Sequence, residues 1–311
     1  MEFSDLEQTL GDKRMHNVLS RFSEDAMNGN DEFDIYRKQQ ELANQGREVD
    51  IPSLSSIPIT TKDWRTEGKN AAWGLDKYKF LHMIEQAWDL QPDRDWYVFL
   101  EADTYLSISN LLQFLDAQDP KEKLYFGNSL RMWEHPTPLN FAHGGSGFIL
   151  SGATVKDFAV THEGIAAKFD QRVRDWWYGD FVLADALDEE LHIQVTDATP
   201  MINSDEPSLV PFGEHVWCKP VITLHHMDAR QFDDMYKFQR ARNFSPLLFR
   251  EVYTAAYTTN LPLRKEAWDN LSDDGRFALE VIPNNPDQLE SNVEPNHLVD
   301  PHRSYEASFS D

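Results

Sequence analysis

A single cysteine, Cys218, stands in a chain of 311 residues, so no intramolecular disulfide can form. That fits a reducing compartment and does not rule out a secretory one. Long apolar runs are absent too. None approaches the roughly 18 residues that a membrane span needs, so no membrane insertion by this chain is expected. The N-terminus lacks the basic-then-apolar pattern of a signal peptide. Cations are the third scarcity: Lys and Arg number 29 against 53 Asp and Glu, a formal charge of −24. Such a chain repels phosphate backbones, which excludes broad nucleic-acid binding. An anionic ligand would need a metal or a local basic patch.

Core-forming material is plentiful: 41% of the residues are hydrophobic and 12% aromatic. The length allows about two domains or one large α/β domain. We expect one domain over 1–282. From Pro283 onward, prolines and acids with few large apolar residues predict a disordered acidic tail over 283–311. Asn243-Phe-Ser and Asn270-Leu-Ser match the N-glycosylation pattern, which often arises by chance.

Periodicity predicts a short strand, a loop and a helix over 1–27, then mostly loop to residue 76 with a helix near Glu32–Ala43. Tyr78, Leu81, Ile84, Ala87 and Trp88 recur at helical spacing and predict a helix from Asp76 to Leu90. Trp96–Leu100 is apolar without alternation, which reads as a strand buried on both faces of a parallel sheet. Ser109 can cap a helix through Leu115. Further strands are expected at Lys123–Gly127, Leu191–Thr196 and Lys219–His226. Helices are expected from Gly179, near Asp228–Arg242 and at Leu247–Tyr257.

Two carboxylates, Glu101 and Asp103, follow the Trp96–Leu100 strand directly. Ligands of open α/β sheets bind beyond the carboxyl ends of strands, and acidic oxygens suit a hard divalent cation. On extended backbone the two side chains would share a face. A plain surface turn would also favour acids. In His143-Gly-Gly-Ser-Gly147, Gly144 and Gly145 allow close backbone approach to a ligand, although an ordinary turn uses glycine too. Asp180, at a helix start, is either a helix-terminus acid or a general base. His225 and His226 end an apolar strand. Alternation lets only one face the site: His225 toward Asp103, His226 away. Trp176 and Trp177 fit core packing and a sugar-stacking platform equally.

In this order, Trp73-Gly-Leu-Asp-Lys-Tyr-Lys79, Trp96 through Tyr105, Tyr125-Phe-Gly127, His143 through Ser151, Gly179-Asp-Phe-Val-Leu-Ala184 and Pro220-Val-Ile-Thr-Leu-His225 resemble the fungal branch of glycosyltransferase family 31, the fringe-like and core 1 β1,3-galactosyltransferase-like group. The resemblance covers roughly residues 1–260. It implies a GT-A-like fold with a central, mostly parallel sheet flanked by helices. It also implies an inverting transfer from a UDP-sugar donor to a glycan or glycoprotein acceptor, with Mn²⁺ or another divalent cation, in the Golgi lumen. Asp103 takes the metal position, with Glu101 in place of the usual first aspartate. Ala102, Gly144, Gly145, Asp76 and Lys77 fall on the donor side. Asp180 matches the catalytic base and His225 the C-terminal metal ligand, while Trp176 and Trp177 are left for the acceptor. Set against the family, Met1 is expected to enter at the second strand, which would leave the first nucleotide-binding strand out. A non-catalytic carbohydrate- or nucleotide-binding remnant is therefore the alternative reading. A metal-dependent hydrolase using the same carboxylate and histidine is a further rival.

Overall fold

The computed structural model describes residues 1–46, 71–133 and 135–258; the expected tail and the 47–70 segment lie outside them. The chain opens with β1 (Glu2–Ser4), β2 (Gln8–Leu10) and β3 (Lys13–Asn17), joined as a three-stranded sheet in the order β1-β3-β2. One strand was expected here. Gly11, at φ +62°, makes the β2–β3 turn, and the strands it joins are too polar to show an apolar period. Helices α1 (Glu24–Met27) and α2 (Asp34–Asn44) follow.

The helix expected over Asp76–Leu90 starts later, as α4 (Phe80–Leu90), and a separate helix, α3 (Ala71–Asp76), precedes it. Lys77–Lys79 interrupts them with tight turns, Tyr78 N–H to Leu75 O (3.1 Å) and Lys79 N–H to Asp76 O (3.0 Å). The break drives the Lys77 side chain inward. Its ammonium meets Glu32 (2.9 Å) and the carbonyls of Trp176 (3.1 Å) and Arg174 (3.5 Å).

Then come β4 (Trp96–Phe99), β5 (Tyr105–Leu106), α5 (Ile108–Asp116), β6 (Tyr125–Gly127), β7 (Ser129–Met132), β8 (Leu139–Ala142), β9 (Phe148–Ser151), α6 (Gly152–Lys156) and α7 (Ile165–Val173). Next are α8 (Gly179–Leu191), β10 (Thr196–Asp197), β11 (Thr223–Leu224), α9 (Ala229–Ala241) and α10 (Phe249–Tyr253). The main sheet has the order β10-β6-β9-β4. Strands β4, β6 and β10 point the same way, and β9 runs antiparallel between β4 and β6. The architecture is thus the mixed α/β one expected, but within the main sheet parallel pairing is confined to β6 and β10.

Both sheet faces are covered, which is why β4 reads as unbroken apolar sequence. Tyr97, Phe99, Tyr125, Phe148 and Leu150 pack under α4, α7 and α8. Trp96, Val98, Phe126 and Ile149 pack under α5, against Leu111 and Leu115. Helix α8 is buried all round from Gly179 to Leu187, as a central helix must be if it carries no polar face. It ends at His192, in the left-handed conformation (φ +57°), so the strand expected at Leu191–Thr196 shrinks to Thr196–Asp197. The Lys219–His226 strand shrinks likewise to β11, which pairs antiparallel with β5. Buried Asn110 fixes that ladder by donating to the carbonyls of Val221 (2.6 Å) and Leu247 (2.5 Å).

Candidate functional site

The register of the small β5–β11 ladder assembles the site. Tyr105 lies opposite Leu224, so the residues before β5 face the residues after β11. Met227 N–H donates to the Asp103 carbonyl (3.0 Å), extending the match by hydrogen bond. Asp103 thereby meets both histidines. Its Oδ1 is 3.4 Å from His225 Nε2, and its Oδ2 is 3.7 Å from His226 Nδ1. The three ligand atoms lie within 4.8 Å of one another.

The outward turn expected for His226 is therefore corrected. The strand stops at Leu224, and His226 takes a left-handed backbone (φ +57°) that swings its ring beside that of His225, with centroids 3.8 Å apart. Strand alternation has no hold beyond the last paired residue. Likewise Glu101 and Asp103 sit on a turn closed by Thr104 N–H to Glu101 O (3.1 Å), not on extended backbone.

Electrostatics favour a cation here. His225 is buried and its pKa falls to about 3, first through desolvation and then through His226 and His143, which keeps the imidazole neutral and able to ligate. Asp103 Oδ1 is buried without a hydrogen bond. Glu101 has open surface, yet the cleft desolvates its carboxyl, and the charges of Asp76, Asp103 and Asp180 push it further, up to about 7. A neutral imidazole, an orphaned carboxylate oxygen and a crowd of acids fit a divalent cation held by Asp103 and His225.

The glycine loop ties this cluster to Asp180. Gly144 N–H donates to Asp180 Oδ2 (2.7 Å), and Phe181 N–H donates to Oδ1 (2.8 Å). Asp180 is buried in the first turn of α8, while the cap position belongs to Tyr178. The next loop residue, Gly145, packs against His225: a Cβ there would stand 2.3 Å from His225 Cε1 and 2.5 Å from Nε2. Its carbonyl accepts from Thr104 Oγ1 (2.5 Å). Because a Cβ at Gly145 would overlap the His225 ring, Gly145→Ala should displace the imidazole from its place beside Asp103. We expect at least about a tenfold loss of metal affinity, since even outer partners of metal ligands act on that scale. Equilibrium dialysis against Co²⁺ checks this, and unchanged affinity would show that the contact does not matter.

The other expected residues divide. Ala102 is exposed on the turn beside Asp103. Asp76 pairs with Lys79 (2.7 Å) and contributes its charge to the Glu101 cluster. Lys77, expected on the donor side, has its three donors engaged inside the protein, so its role in this geometry is to hold the Trp176 segment leading to α8. The Trp176 ring packs on Phe181 at 4.7 Å and is not an open platform; Trp177 is exposed. Sequence reasoning excluded His226, and only the short β11 and the left-handed turn bring it in.

The Fringe-like family model matches residues 68–212. The match supports a glycosyltransferase, as the order of the motifs implied. The Fringe-like region takes in Asp76, Glu101–Asp103, the glycine loop and Asp180, and it ends before the two histidines. Among solved structures, a glycosyltransferase involved in the glycosylation of the major capsid of PBCV-1 is similar at 16% identity. That alignment covers 70% of this chain and 96% of the other, with a TM-score of 0.33. No helix among the described residues is long and apolar enough to cross a membrane.

Proposed function

We propose that the chain is a metal-dependent, inverting glycosyltransferase that moves a hexose or N-acetylhexosamine from a UDP-sugar to a hydroxyl of a glycan or glycoprotein. The observation that carries it is the joining of two chemistries by consecutive residues of one loop: Gly144 holds Asp180, and Gly145 abuts His225. A divalent cation such as Mn²⁺, held by Asp103 and His225 with Glu101 alongside, would neutralise charge on the departing diphosphate. Asp180 accepts the proton of the acceptor hydroxyl while that oxygen bonds to the anomeric carbon. The bond from that carbon to the diphosphate oxygen breaks on the opposite face, UDP leaves with the electron pair, and the configuration inverts. Two backbone N–H groups orient the Asp180 carboxylate for this, so little reorganisation is needed at the moment of reaction. Ala102, exposed beside Asp103, offers little side-chain bulk where a donor would lie, while the space at Gly144 and Gly145 is filled by Phe80 and His225. The Golgi lumen is the compartment the sequence resemblance implies.

The test is a donor screen with UDP-galactose, UDP-N-acetylglucosamine and UDP-glucose against glycan acceptors, reading UDP release with and without Mn²⁺. The expected result is Mn²⁺-dependent release, with a product whose anomeric configuration is inverted by NMR. Tight Mn²⁺-dependent UDP binding without release from any donor would replace this reading with the non-catalytic remnant.

A further inference from the structure

Resting on the metal-dependent reading above, we propose that His226 is a direct metal ligand, and that the site is a two-histidine, one-carboxylate face selective for transition metals over Mg²⁺ and Ca²⁺. Two features of the backbone point there. The His226 backbone is left-handed, a conformation that few side chains adopt and that histidine tolerates better than most. That turn brings the ring back to Asp103, where extended backbone would send it away. The next residue pins the arrangement, since Met227 N–H donates to the Asp103 carbonyl (3.0 Å).

The spacing fits shared coordination better than ion pairing. His225 Nε2 to Asp103 Oδ1 is 3.4 Å and His226 Nδ1 to Asp103 Oδ2 is 3.7 Å. Donor atoms about 2.1 Å from a common tetrahedral metal stand about 3.4 Å apart. At these separations Asp103 Oδ1 forms no hydrogen bond despite its burial. The carboxylate offers its two oxygens to the two rings separately.

Donor chemistry sets the selectivity. Oxygen-only sites suit Mg²⁺ and Ca²⁺, whereas two imidazoles with one carboxylate favour Mn²⁺, Co²⁺ and Zn²⁺, with affinity rising along the first row. A single histidine would discriminate less.

The experiment uses the metals alone, with no nucleotide or acceptor present. Competition dialysis should place Co²⁺ and Zn²⁺ at least about tenfold tighter than Mg²⁺. Pulsed EPR of bound Mn²⁺ should count two coupled imidazole nitrogens. His226→Gln should lower Co²⁺ affinity at least about tenfold and leave one nitrogen, with melting temperature as the folding control. His226→Phe keeps a ring to stack on His225 but cannot ligate. It should behave like His226→Gln. Undiminished Co²⁺ affinity in either variant, or one nitrogen in the wild-type spectrum, would overturn the assignment and leave the transferase reading standing. Two nitrogens in a protein that binds no UDP would do the reverse.

Discussion

Asp180→Asn should lower turnover by about two orders of magnitude or more, the scale of a lost general base, while leaving donor affinity intact. Asparagine keeps the shape of the side chain and cannot take a proton from the acceptor. The geometry adds a structural cost that helix capping alone would not predict. Asp180 is not the cap of α8. Its two oxygens accept one N–H each, from Gly144 and Phe181. An amide has one acceptor oxygen, so one of those N–H groups must face an NH₂ in a buried setting. That costs about 1–3 kcal/mol and should lower the melting temperature by several degrees. Turnover, UDP affinity and melting temperature should therefore be read together. Lost turnover with held affinity identifies the base. Near-normal turnover in the destabilised variant would leave Asp180 as a brace for the glycine loop, and the inverting chemistry would need another carboxylate.

What the sequence made legible was the part of the fold governed by local or one-dimensional rules. The Trp96–Phe99 strand was visible because both faces are covered, which removes alternation. The start of α8 at Gly179 was visible too, and there a Cβ would stand 2.5 Å from Lys77 Cα. The helix expected near Asp228–Arg242 is α9, whose start is closed by a capping box between Asp228 and Gln231. The misses share a physical cause. Strands β1–β3 are polar and gain their order from pairing, which leaves no apolar period. The break between α3 and α4 goes with the Lys77–Glu32 contact, whose partners lie 45 residues apart along the chain, so no local period announces it.

The candidate site shows the same division. Asp103 and His225 were singled out because both follow apolar runs, and the structure brings them together. Their partner His226 was assigned to the wrong face, because a period of two was carried past the end of a strand only two residues long. Lys77 was placed with the donor because the family resemblance sets it on the donor-side helix. Its burial beneath Glu32 is a tertiary fact that spacing does not encode. The role of the glycine loop as a link between Asp180 and His225 was equally hidden. Glycines advertise room, and only the packing shows that the room is taken by the imidazole and the Phe80 ring.

Asp103→Ala should abolish the Mn²⁺-dependent part of UDP binding while the fold survives. The carboxylate contacts both histidines, so its removal takes the carboxylate from the cluster and leaves two imidazoles with no anionic donor between them to offset a dication. The backbone at this position does separate work. Met227 N–H bonds the Asp103 carbonyl, and Thr104 N–H closes the turn on Glu101, and neither bond involves the lost side chain. Asp103 also stands in a like-charged group whose members raise the Glu101 pKa, so its removal relieves repulsion in the absence of metal. The melting temperature of the metal-free variant should accordingly match or exceed that of the wild type, while added Mn²⁺ should stabilise the wild type alone, as expected for a ligand that binds only the native state. Titration calorimetry with UDP, run with Mn²⁺ and again with a chelator, separates the two contributions. The variant should show the same weak affinity in both runs. A Mn²⁺-dependent gain equal to that of the wild type would mean that the cation is held elsewhere, and the Asp103–His225 pair would lose its claim to the site.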